Sequence, residues 1–168
     1  MMKKILIIFT LSISTTGIFA QEFIVPEKYN PSTPEDYEQY EPVVLAAVNW
    51  LLDTPVNEQI EKRMDANTFL MKWLSGTQKF TIDIRPQIVN FMEINPDLLM
   101  VFMCGWTKYA LETGDYKNAL KGNLKGVESV ITYYQKNKDN LLKDGHVEKY
   151  VRMKEKGTLE EYIKKYVD

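Results

Sequence analysis

The chemistry open to this chain is bounded by its few reactive side chains: one histidine, His146, and one cysteine, Cys104, in 168 residues. A serine triad would need Ser75 or Ser129 to meet His146, and neither serine stands in the glycine-flanked turn that exposes a nucleophile. A single histidine, with Cys104 on a different segment, gives no zinc-ligand spacing. Asp83 and Glu93 are the two acids set among apolar neighbours, where burial would raise a carboxyl pKa. One reading of these residues is a small hydrolase using Asp83 or Glu93 with His146. The plainer reading is that both acids point to water or cap nearby backbone. Gly122 and Gly126 lie inside a helical pattern, not at its amino end, so they offer no phosphate cradle. No metal or cofactor is expected.

The stretch "NPDLLMVFMCGWTKYALETGDYKNALKG", residues 95–122, concentrates the unusual residues. Cys104 stands between Met103 and Gly105 in an apolar run, the setting of an inert buried thiol; a catalytic thiol needs a basic partner and some exposure. Just beyond, Ala119, Gly122, Gly126 and Ser129 fall three, four and three residues apart and make a narrow face without bulk. Glycine within a helix costs about 1 kcal/mol relative to alanine, so two on one edge imply a close approach. Either another helix of the molecule packs there, or the face floors a groove for a peptide or apolar ligand. Trp106 and Tyr109, with Trp50 and Trp73, are the aromatics available to line such a groove.

The elements that must position these residues read as helices. Residues 21–33 form an extended lead-in with two prolines. Thr33 then caps a helix with Pro34 at its first position, and Pro42 bends or restarts it. Thr54–Pro55 repeats the signal and opens a helix to Gly76, with Ala66, Phe69, Leu70, Trp73 and Leu74 on one stripe and a Glu58–Lys62 pair outside. These two segments make a hairpin. Phe80, Ile82 and Ile84 alternate within 79–85, but a lone strand is unstable, so the segment is an extended connector whose three apolar residues plug the core. A short helix follows over about 86–94. Asn95–Pro96–Asp97 caps the next helix, which is apolar on every side and therefore central. It closes at Gly114, and Asp115 caps a helix with the stripe Tyr116, Leu120, Leu124, Val127, Ile131, Tyr134. A last helix opens with a Thr158–Glu161 capping box and carries Leu159, Tyr162, Ile163, Tyr166 and Val167 on one side. The expected architecture is all-α: a single compact bundle of five to seven helices over 34–168, with no internal domain boundary.

Residues 1–20 have the build of a secretory signal peptide: basic "MMKK", an apolar run of about ten residues, and a small residue, Ala20, before Gln21. An uncleaved anchor is the alternative. Cleavage removes Lys3 and Lys4 and leaves 148 residues with a net charge of −4. That sign, without a basic stripe, does not suit nucleic acid, and no run in the remainder approaches the roughly 20 residues a spanning helix needs. The address is periplasmic or extracellular. One cysteine permits no intramolecular disulfide, so packing alone holds the fold. The acidic, tyrosine-bearing entry "EKYNPSTPEDYEQYE", residues 27–41, and the last helix are the elements most free to move and to meet a partner, although the continuous stripe of the last helix favours docking on its own bundle.

Two resemblances add to this. "GDYKNAL", residues 114–120, resembles the inter-helix turn of a tetratricopeptide repeat, which implies an antiparallel helical hairpin over 96–136. Asn123 and Gly126 depart from that pattern, and no 34-residue period recurs. "WLLDTP" at 50–55, "ANTFLMKWLSGT" at 66–77, "NPDLL" at 95–99 and "KYALE" at 108–112 resemble uncharacterised small exported helical proteins of Bacteroidota-type bacteria. That resemblance implies address and fold, not activity. The expected function is a non-enzymatic binding module with a groove formed by Ala119, Gly122, Gly126, Ser129, Trp106 and Tyr109, taking a protein or peptide partner in the cell envelope. A structural subunit of an envelope complex is the third reading, beside the hydrolase.

Overall fold

A computed structural model describes residues 23–167, so the leader assigned to 1–20 and the start of the lead-in fall outside the described residues. Seven helices follow in order: α1 (Pro34–Gln39), α2 (Glu41–Asp53), α3 (Ile60–Gly76), α4 (Asp97–Thr113), α5 (Ala119–Lys136), α6 (Gly145–Glu155) and α7 (Leu159–Val167). A single turn of 3-10 helix, Asn90–Glu93, precedes α4. No strand occurs among the described residues, and the architecture is an all-α bundle.

The local signals at α1 hold. Thr33 adopts the extended conformation and its hydroxyl accepts from Asp36 N, while the Asp36 carboxylate accepts from Thr33 N at 2.9 Å. Tyr40 ends this helix and Pro42 sits in the first turn of α2, so the proline restarts the chain.

The start of α3 departs from the sequence reading. Thr54 ends α2, and α3 begins at Ile60 after Gln59, whose φ of 47° is left-handed. The link between them is held by distant donors instead of turning into helix. Arg63 donates to the carbonyls of Thr54 (2.6 Å) and Pro55 (2.9 Å). Tyr133 OH also donates to Thr54 O, Lys136 Nζ to Asp53 O, and Val56 N to Asn137 Oδ1. A helix from Pro55 would have claimed the Pro55 carbonyl for itself. Glu58 therefore lies outside α3, and Lys62 sits over the Trp50 ring at 5.1 Å.

Helix α4 is the centre, packed by α2, α5 and the 3-10 turn. Leu98, Phe102, Cys104, Trp106 and Ala110 are buried along it. Asn95 does not cap it. The Asn95 amide is buried and turned to the loop before α6, donating to Leu142 O and the Asp144 carboxylate and accepting from Leu142 N. Asp144 is fully buried and caps α6 by accepting from His146 N and Val147 N. Asn118, not Asp115, caps α5, accepting from Lys121 N at 3.1 Å. Tyr116 accordingly lies in the turn, stacked on Phe80 at 6.0 Å. Of the connector's apolar residues only Phe80 is buried; Ile84 is 40% exposed.

Both termini of the described chain are docked. On α7, Leu159 and Ile163 are buried against the bundle, and Glu160 pairs with Lys121 of α5 at 2.8 Å. Phe23 of the lead-in is also buried. Replacing Asn95 with alanine strands the Leu142 N–H and takes one partner from a buried carboxylate. We expect a loss of about 2 kcal/mol, read as a lower urea midpoint at unchanged slope.

Candidate functional site

The seam between α4 and α5 is built from small residues facing large ones. A Cβ on Gly122 would lie 2.2 Å from the Trp106 ring, and one on Gly126 would lie 2.6 Å from the Phe102 ring. The reverse occurs at Gly105 of α4, where a Cβ would meet Ser129 Oγ at 2.3 Å and the Lys125 carbonyl at 2.7 Å. Gly122 and Gly126 are buried and Trp106 is 4% exposed. The face at Gly122 and Gly126 is thus occupied by α4 itself and floors no open groove. Ala119 and Trp106 do not line the opening described next.

A groove does run beside these helices, displaced from the glycine pair. It has a volume of about 560 Å³ and lies along the α4–α5 seam at the end of α2. Leu52, Gly105, Ser129 and Tyr133 line it together with Tyr109 and the exposed Thr132. Ser129 and Tyr109 are therefore the two expected residues that the fold brings to an opening. The groove exists because Gly105 and Ser129 let the helices approach, leaving a shallow furrow above the contact.

The charges around it are largely committed to each other. Lys108 Nζ donates to Asn49 Oδ1 at 2.7 Å and stands 3.9 Å from Glu112, and Lys125 pairs with Glu128 at 2.7 Å. Tyr109 OH donates to the Asp115 carboxylate, which holds the phenol in place and raises its pKa. Burial likewise raises the pKa of Tyr133, whose hydroxyl is turned away to Thr54 O. Exposed pairs of this kind are each worth under about 1 kcal/mol, so a partner can exchange them. The rim carries both signs and does not select a strongly anionic or cationic ligand.

Asp83, Glu93 and His146 do not form a bonded set among the described residues. Asp83 pairs with Arg85 Nε at 2.7 Å on the surface. Glu93 is exposed in the 3-10 turn, and His146 lies in the first turn of α6 with its N–H on Asp144. No group of three or more acidic, histidine or cysteine ligands placed to hold a metal occurs among the described residues. Cys104 is buried, and loss of solvation pushes its thiol up to about 12, so it stays protonated and unreactive at neutral pH.

Leu52, Lys108, Thr132 and Lys154 line the groove without having been singled out in the sequence. Gly105 was the available signal, a third small residue within an apolar helix. Its pairing with Ser129 depends on helix register, which spacing along one helix does not carry.

No protein-family model, curated protein or solved structure matches the chain.

A side chain at Gly126 would meet both ring and backbone of Phe102. Gly126→Ala should lose about 1–3 kcal/mol from overpacking, and Gly126→Leu should not reach the native fold. Thermal melting checks this; a Gly126→Leu protein melting at the wild-type temperature would mean that the seam is loose.

Proposed function

We propose that the protein is a non-enzymatic binding module whose α4–α5 groove takes a segment of a partner protein in the cell envelope. The observation that carries this reading is the groove itself: about 560 Å³, open, mostly apolar in lining, and set on the close α4–α5 contact. Rigid walls suit recognition because little order is lost on binding. Mixed, exchangeable charges at the rim suit a polypeptide segment with both signs better than a free anion. The hydrolase reading is weaker, since Asp83 is engaged with Arg85 and no hydrogen bond joins it to Glu93 or His146.

Thr132 is exposed at the groove edge, so Thr132→Trp fills the opening without entering the core. The unmodified protein should capture from envelope extract a component that Thr132→Trp does not, while the two melt within about 2 °C of each other. Equal capture by both would remove the groove from the mechanism.

The envelope address rests on the leader sequence "MMKKILIIFTLSISTTGIFA". Amino-terminal sequencing of the protein recovered from its native compartment should begin at Gln21. A chain still beginning at Met1 would favour the anchor.

A further inference from the structure

Away from the groove, one segment is bound like a ligand. Residues 23–31 cross α2 and α3 as a strap that is neither helix nor strand. Phe23 is 2% exposed, with its ring 6.2 Å from that of Trp50 and 6.3 Å from that of Phe69. Six residues on, Tyr29 stands edge-on to Phe69 at 5.0 Å and to Tyr40 at 4.7 Å. Two side chains hold the strap backbone: Lys72 Nζ donates to Tyr29 O at 2.7 Å and Tyr40 OH to Lys28 O at 3.4 Å. Among the described residues, no backbone-to-backbone hydrogen bond involves 23–32.

Between its anchors the strap is only partly packed down, with Val25 half-buried against the core. Val25, Pro26 and Glu27 bridge an opening of about 390 Å³ whose far wall is Asp65, Thr68 and Lys72. Ile24 points outward, 76% exposed. The strap is thus held by two rings, by Val25 between them and by two carbonyls, the pattern by which extended peptides are read through pockets for spaced side chains. The fit at the second ring is imperfect, because the Tyr29 hydroxyl is buried without a hydrogen-bond partner. Burial is also the main cause that raises its pKa. A phenyl ring would fill the same space without stranding a polar group. Beyond the strap, Ser32 and Thr33 are tied to the Asp36 carboxylate at the start of α1, independently of the strap's own contacts.

We propose that the face formed by Tyr40, Trp50, Phe69 and Lys72 is a second binding site, for an extended protein segment presenting two aromatic side chains six residues apart. The strap occupies it as a tethered competitor. This inference is independent of the α4–α5 groove. A tethered segment competes at an effective concentration in the millimolar range, so a foreign segment binds measurably only when it fits better or when the strap is weakened.

The test uses the full chain carrying Phe23→Ala and Tyr29→Ala, with a labelled peptide of residues 23–31, FIVPEKYNP, followed by fluorescence anisotropy. The peptide should bind the variant about tenfold or more tightly than it binds the unmodified chain. A peptide with phenylalanine in place of Tyr29 should bind tighter again, by about threefold to tenfold. A peptide with alanine at both ring positions should not bind. Equal affinity for the two proteins, or binding by the alanine peptide, overturns the proposal. Far-UV circular dichroism checks the fold; if the double variant melts, Phe23→Ala alone carries the comparison, with a smaller gain. A dimer of the unmodified chain that the double variant loses would assign the site to a second copy and overturn the foreign-partner reading.

Discussion

Gly122 and Gly126 lack a Cβ where α5 meets α4, and the Trp106 and Phe102 rings take up that space. Each such ring contributes roughly 2–3 kcal/mol when withdrawn from water. The contact is reciprocal, because α4 gives up its own side chain at Gly105 to admit Ser129 and the Lys125 carbonyl. Three glycines within helices are unfavourable by propensity, and here the close approach they permit offsets that cost. The rest of the bundle is arranged around the pair: α2 and the 3-10 turn on α4, and α6 and α7 on α5.

Polar nodes fix the register that this packing leaves open. One joins Asn95 ahead of α4 to Leu142 and Asp144 ahead of α6. Another gathers Arg63, Tyr133, Lys136 and Asn137 around the end of α2 and the link that follows. Apolar faces tolerate sliding, whereas a buried amide or carboxylate is satisfied in one arrangement only.

What was legible in the sequence divides along the range of the forces. Thr33–Pro34 and Gly114 act within one turn, and both sit where their chemistry places them. Thr54–Pro55 carries the same local signal as Thr33–Pro34, yet Tyr133, 79 positions along the chain, takes the Thr54 carbonyl, and Arg63 takes both it and the Pro55 carbonyl. Asn95 and Asp115 misled in the same way, since each had a stronger partner than the nearest backbone: Leu142 and Asp144 for the first, Tyr109 and Asn118 for the second. The small face from Ala119 to Ser129 was visible as spacing. What fills it was not, because that depends on the rotation of α4; of the expected groove residues, Tyr109 and Ser129 line the α4–α5 opening.

The link between α2 and α3 has a consequence for how the molecule is made. Its carbonyl of Thr54 and N–H of Val56 wait for Tyr133 and Asn137, 79 and 81 residues further on. During synthesis from the amino end, Arg63 alone can hold the Thr54 and Pro55 carbonyls, and the rest of the link goes without its partners until the fifth helix arrives. Contacts of such long sequence separation form late. The link from Thr54 to Val56 is therefore the part of the first three helices that completes its hydrogen bonding last.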